Sequence, residues 1–145
     1  MFNWLQKRIA GSHCLDLFAG TGALGFEAAS RGAAYVQLVE NNPAVARQLT
    51  DNINILGADN ISLYQGDAFN WLANNQQRFD LVFLDPPFKQ DLLEKCCTML
   101  AETSTVKQGG LLYIETAVDA ELPDRLEIIK QGKAGQVNYL LAELL

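Results

Sequence analysis

The sequence predicts an α/β fold built on a mostly parallel sheet, and three observations predict it. Short runs rich in β-branched and aromatic residues alternate with helical runs of 3.6-residue apolar periodicity over most of the 145 residues. Glycines and prolines punctuate the alternation where turns are needed. Near the end the alternation stops, and two strand-like runs follow one another across a glycine-containing connection, as an antiparallel pair does. At 49% apolar residues the chain can bury about two thirds of its unfolded surface, so residues 1–145 are read as one domain.

The elements follow in order. Cys14 to Phe18 reads as the first strand, and the glycine-rich turn after it opens a helix from Ala23 to Arg31, ended near Gly32. Tyr35 to Glu40 is the second strand. Asn42 then offers an N-cap, Pro43 the first helical position, and Val45, Leu49, Ile53 and Leu56 one apolar face, with Gly57 as the stop. Ile61 to Gln65 is a third strand, after which Asp67 can cap a short helix bearing Phe69 and Leu72. Phe79 to Leu84 is almost entirely apolar, as a strand covered on both faces should be. A helix through Leu92, Leu93, Cys96, Met99 and Leu100 precedes a Gly109-Gly110 turn and a fifth strand, Leu111 to Glu115. Arg125 to Lys130 and Val137 to Leu144 form the final pair, joined by residues 131–135.

Composition narrows the function classes. No apolar run approaches the ~18 residues that span a bilayer. The N-terminus has no basic region followed by an apolar stretch, so a cytoplasmic protein is expected. Cys14, Cys96 and Cys97 are odd in number and lack paired metal-ligand spacing, which points to buried thiols and no metal site. His13 is the single histidine and lies just ahead of a strand, a poor basis for histidine-assisted nucleophilic catalysis. Net charge is −6, so any polyanion must be met by a local basic patch or a further segment.

Gly20-Thr21-Gly22-Ala23-Leu24-Gly25 matches G-x-G-x-x-G between a strand and a helix, where backbone can approach a ligand closely. Glu40 ends the next strand, eighteen residues after Gly22, where a carboxylate can accept from both hydroxyls of a ribose. Two cofactors satisfy this pair: a nicotinamide dinucleotide and S-adenosyl-L-methionine. Asp16 inside the first strand separates them, since a carboxylate there attracts a cationic amine and repels a pyrophosphate. Asp67 is placed to accept from an adenine amino group with the Ala68 N–H beside it, although a plain helix cap would look the same. The cofactor set is therefore read as Asp16, Phe18, Ala19, Gly20, Gly22, Glu40, Asn41, Asp67 and Ala68.

Asp85-Pro86-Pro87-Phe88 follows the central strand and is read as the catalytic element. Open α/β sheets bind ligands beyond the carboxyl ends of their strands, at the point where the strand order reverses. Two prolines remove two N–H donors and leave backbone carbonyls and the Asp85 carboxylate as rigid acceptors. An exocyclic amine is a poor nucleophile because its lone pair is delocalised. Hydrogen bonds to Asp85 and the Pro86 carbonyl would favour a pyramidal nitrogen and aim that lone pair. Phe88 offers a face on which an unstacked base could lie.

These residues resemble the class I methyltransferase fold, and Asp85-Pro86-Pro87-Phe88 resembles the (Asp/Asn)-Pro-Pro-(Tyr/Phe) motif of amino-methyltransferases. More narrowly, Phe2-Asn3-Trp4-Leu5, the run from Cys14 to Ala28, Phe83-Leu84-Asp85-Pro86-Pro87-Phe88 and Tyr113-Ile114-Glu115 resemble the bacterial 16S rRNA guanine-N2 methyltransferase (RsmD) family. The resemblance implies a Rossmann-like, seven-stranded, mostly parallel sheet with a C-terminal antiparallel hairpin. It implies S-adenosyl-L-methionine as cofactor, a guanine N2 amine of 16S rRNA in a small ribosomal subunit particle as substrate, and a monomer. Family members carry a glycine- and arginine-rich segment ahead of the Phe-Asn-Trp-Leu helix, where this chain has Met1, so the phosphate contacts are expected from such a segment. An inactive cofactor-binding module, and amino-methylation of DNA adenine or cytosine or of protein glutamine, are the alternatives.

Overall fold

The computed structural model describes residues 2–87 and 92–145. In chain order the elements are α1 (Phe2–Ile9), β1 (His13–Asp16), α2 (Ala23–Ser30), β2 (Tyr35–Glu40), α3 (Pro43–Leu56), β3 (Ile61–Gln65), α4 (Ala68–Asn74), β4 (Phe79–Leu84), α5 (Leu92–Glu102), β5 (Val106–Ala117), β6 (Leu126–Ala134) and β7 (Val137–Leu144). The strands form one seven-stranded sheet of order β3-β2-β1-β4-β5-β7-β6. The first five are parallel, and β7 lies between β5 and β6, antiparallel to both. The chain winds outward from β1 to β3, then crosses back to lay β4 on the other side of β1. The crevice that results lies between the carboxyl ends of β1 and β4.

Alternation along the strands divides the core into two layers. On β4, Leu81 and Phe83 face Leu5 and Ile9 of α1, Ala28 of α2 and Leu49 of α3. Val82 and Leu84 face Leu72 of α4 and Cys96, Cys97 and Leu100 of α5. All three cysteines are buried, and burial pushes the Cys96 and Cys97 thiols up to about 12, so they stay protonated and pack as small apolar groups.

Local chemistry sets the element ends. Asn42 caps α3 by accepting from the Ala44 and Val45 N–H groups at 2.9 and 3.2 Å, Pro43 stands at the first helical position, and Gly57 closes the helix. Strands β2, β3 and β4 have the bounds that their apolar runs predict.

Four expectations are corrected. β1 ends at Asp16 rather than Phe18, although the Leu17 and Ala19 N–H groups still bond the Phe83 and Val39 carbonyls at 3.4 and 3.0 Å. β5 begins at Val106, and the expected Gly109-Gly110 turn is instead part of an irregularity inside it. The Phe79 N–H of the central strand finds its acceptor at the Thr105 carbonyl, 2.8 Å away, so pairing starts before the glycines and the intervening residues bulge. β6 and β7 continue their ladder to Ala134 and Val137, which shortens the connection to Gly135-Gln136, with Gly135 at φ 59°. Leu56 is 65% exposed, because Gly57 ends the helix there and Ala58, not Leu56, returns to the core.

Candidate active site

Strand register brings four carboxylates to one edge and one face of the sheet. Asp16 is level with Leu38 on β2 and Phe83 on β4. Glu40 and Asp85 therefore stand one same-face position further toward the carboxyl end. Phe83 is level with Tyr113 on β5, so Glu115 stands beside Asp85. Across the order β2-β1-β4-β5 the row reads Glu40, Asp16, Asp85, Glu115.

Asp16 is fully buried, and its Oδ1 has no hydrogen-bond partner. Burial raises its carboxyl to about 7, opposed by a hydrogen bond from the Phe18 backbone and reinforced by the charges of Asp85, Glu40 and Glu115. The Phe18 ring packs into the α4–α5 layer, so what Phe18 gives the site is its backbone.

Glu40 ties the glycine turn to β2. Its Oε1 accepts from the Gly20 N–H at 2.8 Å and its Oε2 from the Asn42 N–H at 2.9 Å. Inside the turn the Gly22 N–H donates to the Ala19 carbonyl at 2.8 Å. Gly22 sits at φ 81°, where a Cβ would also stand 2.5 Å from the Phe26 ring and 2.7 Å from Leu49. Gly25 lets α2 lie on β2, because a Cβ there would collide with the Leu38 side chain.

Asn41 is exposed at the start of the loop into α3. Asp67 caps α4, its Oδ2 accepting from the Asn70 N–H at 2.9 Å, and the preceding Gly66 N–H donates to the Glu40 carbonyl at 2.9 Å. That bond holds the β3 corner against the β2 corner. Ala68 is buried in the α4–α5 layer. Asp85 and Pro87 are exposed at the end of β4 and Pro86 is buried between them. Phe88, expected to stack the substrate, lies outside the described residues.

Sequence reading assigns Glu115 no role. The available signal is its position: it follows the apolar run Leu111 to Ile114 as Asp85 follows Phe79 to Leu84, and the two runs pair. Burial, then the Asp85 charge, raises its carboxyl to about 7. Asp85 is also raised by burial, with the hydrogen bond to Glu115 opposing. Beneath the pair lies an aromatic floor. Tyr113 meets Phe83 edge-on at 6.1 Å and stacks on Tyr139 at 6.4 Å. The Tyr113 hydroxyl is buried without a partner, and burial raises it further above its ordinary value.

Among the described residues no three His, Cys, Asp or Glu side chains are grouped to hold a metal ion. The row presents carboxylate acceptors on one side and the glycine turn on the other.

Comparison with known proteins places this geometry in a family. Residues 1–143 match the family described as Conserved hypothetical protein 95. The Ribosomal RNA small subunit methyltransferase D of Escherichia coli (strain K12) is 39% identical over 144 residues, covering 97% of this chain and 73% of that protein. The protein of the same name from Haemophilus influenzae is 40% identical over 147 residues, covering 97% and 76%. Among solved structures, a protein of Escherichia coli described as methyltransferase yhhF superposes with a TM-score of 0.92 at 38% identity, covering 99% of this chain and 81% of that one. The fold, the sheet order and these identities agree, and the chain belongs to the Conserved hypothetical protein 95 family, that of the ribosomal RNA small subunit methyltransferases D.

Proposed function

We propose that the chain is an S-adenosylmethionine-dependent enzyme that methylates the exocyclic N2 amine of a guanine in 16S rRNA, within the small ribosomal subunit particle in the cytoplasm, and that residues 1–145 form one catalytic domain. The observation that carries the reading is the partnerless, fully buried Asp16 Oδ1, level with Phe83 and so one same-face position before Asp85 in the row of carboxylates. A buried acceptor without a partner costs ~1–3 kcal/mol. A cationic amine arriving at the β1 end supplies that partner, so the residues fit the amino-acid portion of S-adenosylmethionine.

A dinucleotide fits poorly. Its pyrophosphate would face four carboxylates, and the Gly20 and Gly22 N–H groups that would cradle it already donate within the protein. Glu40 keeps unused lone pairs beyond its two backbone bonds for ribose hydroxyls, and Asp67 keeps one oxygen beyond its cap for an adenine amino group. Bound there, the cofactor supplies a methyl group activated by a sulfonium. The protein's own work lies on the amine: Asp85 and the Pro86 carbonyl accept its two N–H groups and aim its lone pair, and Phe88 supports the base.

The test incubates small-subunit particles with labelled S-adenosylmethionine and either the wild-type chain or Asp85→Ala. Incorporation should fall by about 100-fold or more in the variant, the scale of losing a transition-state hydrogen-bond acceptor. Equal incorporation by both would remove Asp85 from the reaction.

A further inference from the structure

Glu115 is unexplained by the cofactor and amine contacts. Resting on the amine-methylation reading above, we infer that Glu115 is a positioning residue for the transfer: as a neutral acid it donates a hydrogen bond to one oxygen of Asp85, leaving the other oxygen aimed at the substrate amine.

Geometry carries the inference. Asp85 follows the last residue of β4 and Glu115 lies near the end of the adjacent parallel strand β5, in register and on one face, so their carboxyl groups meet near the edge of the sheet. The titratable groups that strand register and electrostatic influence place around Glu115 are acidic or phenolic. Asp85 comes from β4, Asp16 from β1, Tyr113 from its own strand, and Tyr139 stands directly opposite on β7. Glu40 lies further along the same row on β2. The described ion pairs, Arg31 with Glu27 and Lys107 with Asp80, lie elsewhere. Phe83, Tyr113 and Tyr139 pack against one another on the same face, next to the pair.

Two carboxyl groups so placed hold one proton between them, because ionising both sets like charges side by side. The hydrogen bond to Glu115 favours ionised Asp85, and burial raises Glu115 to about 7, so the shared proton rests on Glu115. That arrangement also fixes chemistry. A lone aspartate could swing between two equivalent acceptor oxygens. One that accepts from Glu115 offers the amine a single, oriented acceptor. Below about 7 Glu115 is a donor, and as pH rises through that value it ionises, loses the donor and repels Asp85.

The experiment measures single-turnover methyl transfer to small-subunit particles across pH, at saturating S-adenosylmethionine so that cofactor binding does not contribute. Wild type, Glu115→Ala, Glu115→Gln and Asp85→Ala are compared, and thermal melts confirm that each is folded. Glu115→Ala should slow transfer by about 10- to 100-fold, the effect of one hydrogen bond to a charged group. Glu115→Gln keeps a permanent donor of nearly the same shape. It should restore most of that loss at neutral pH and abolish the decline that wild type shows on the alkaline side. A Glu115→Gln enzyme as slow as Glu115→Ala, or one that retains the wild-type alkaline decline, overturns the inference. If Glu115→Ala does not fold, the alkaline limb of Glu115→Gln alone decides. Full activity in Asp85→Ala is a different result: it overturns the amine-site reading itself, and this inference with it.

Discussion

Asp16 is a cost to the fold that the proposed cofactor site would offset. Its carboxyl is fully buried and raised to about 7, so the folded protein holds that proton more tightly than the unfolded chain does. For a raised acid the stability that Asp16 contributes is present at low pH and is lost as pH rises from the ordinary value of 3.8 through about 7. Thermal melts of the ligand-free protein should therefore show Asp16→Asn gaining on wild type as pH rises from 3.8 to about 7, with no further gain above. The same substitution should weaken S-adenosylmethionine binding by roughly 10- to 100-fold, the effect of one charge-assisted hydrogen bond, measured by calorimetry. In wild type the affinity should rise with pH up to about 7 and then level off, because the ionised carboxylate is the form that meets a cation. Flat stability would contradict the raised carboxyl, and flat affinity would mean that Asp16 meets no cation.

At the scale of elements, the glycine turn works because α2 can lie against β2. Gly25→Ala places a methyl group into the Leu38 side chain and should cost about 1–3 kcal/mol by overpacking, read as a lower urea midpoint at unchanged slope. A midpoint equal to wild type would show that α2 can move away without penalty. The elements that sequence specifies by residue are those whose signals are local. β2 and β4 are bounded by the ends of their apolar runs, and α3 by Asn42, Pro43 and Gly57. What sequence does not specify depends on partners far along the chain. The start of β5 is set by the need of the Phe79 N–H for an acceptor at Thr105, which overrides the turn that Gly109 and Gly110 suggest. The shortened hairpin likewise reflects ladder partners for Gln131 to Ala134 rather than any feature of those residues alone.

The whole molecule collects one chemistry from four strands. Glu40 and Asp85 are legible because each ends or follows a recognisable run, and Asp16 because it lies inside the strand that leads into the glycine turn. Glu115 also follows a run, but its meaning lies in pairing with Asp85 across β4 and β5, and register is not written in either strand. The acidic edge agrees with the chain's net charge of −6 and favours a cationic cofactor over a dinucleotide. S-adenosylmethionine at about 100 times its dissociation constant should stabilise the protein by ~2.7 kcal/mol, visible as a higher melting temperature. NAD at the same concentration should leave the melting temperature unchanged, and a shift with NAD alone would reverse the cofactor assignment.

Whether this edge methylates an aromatic amine of ribosomal RNA is decided by the chemical identity of the product. Small-subunit particles treated with labelled S-adenosylmethionine are stripped of protein, their RNA is digested to nucleosides, and the labelled product is identified by mass. A single labelled species is expected, guanosine methylated on N2, formed by the wild-type chain and absent with Asp85→Ala. Label on adenosine or cytidine, on a ribose, or in a ribosomal protein would contradict that assignment.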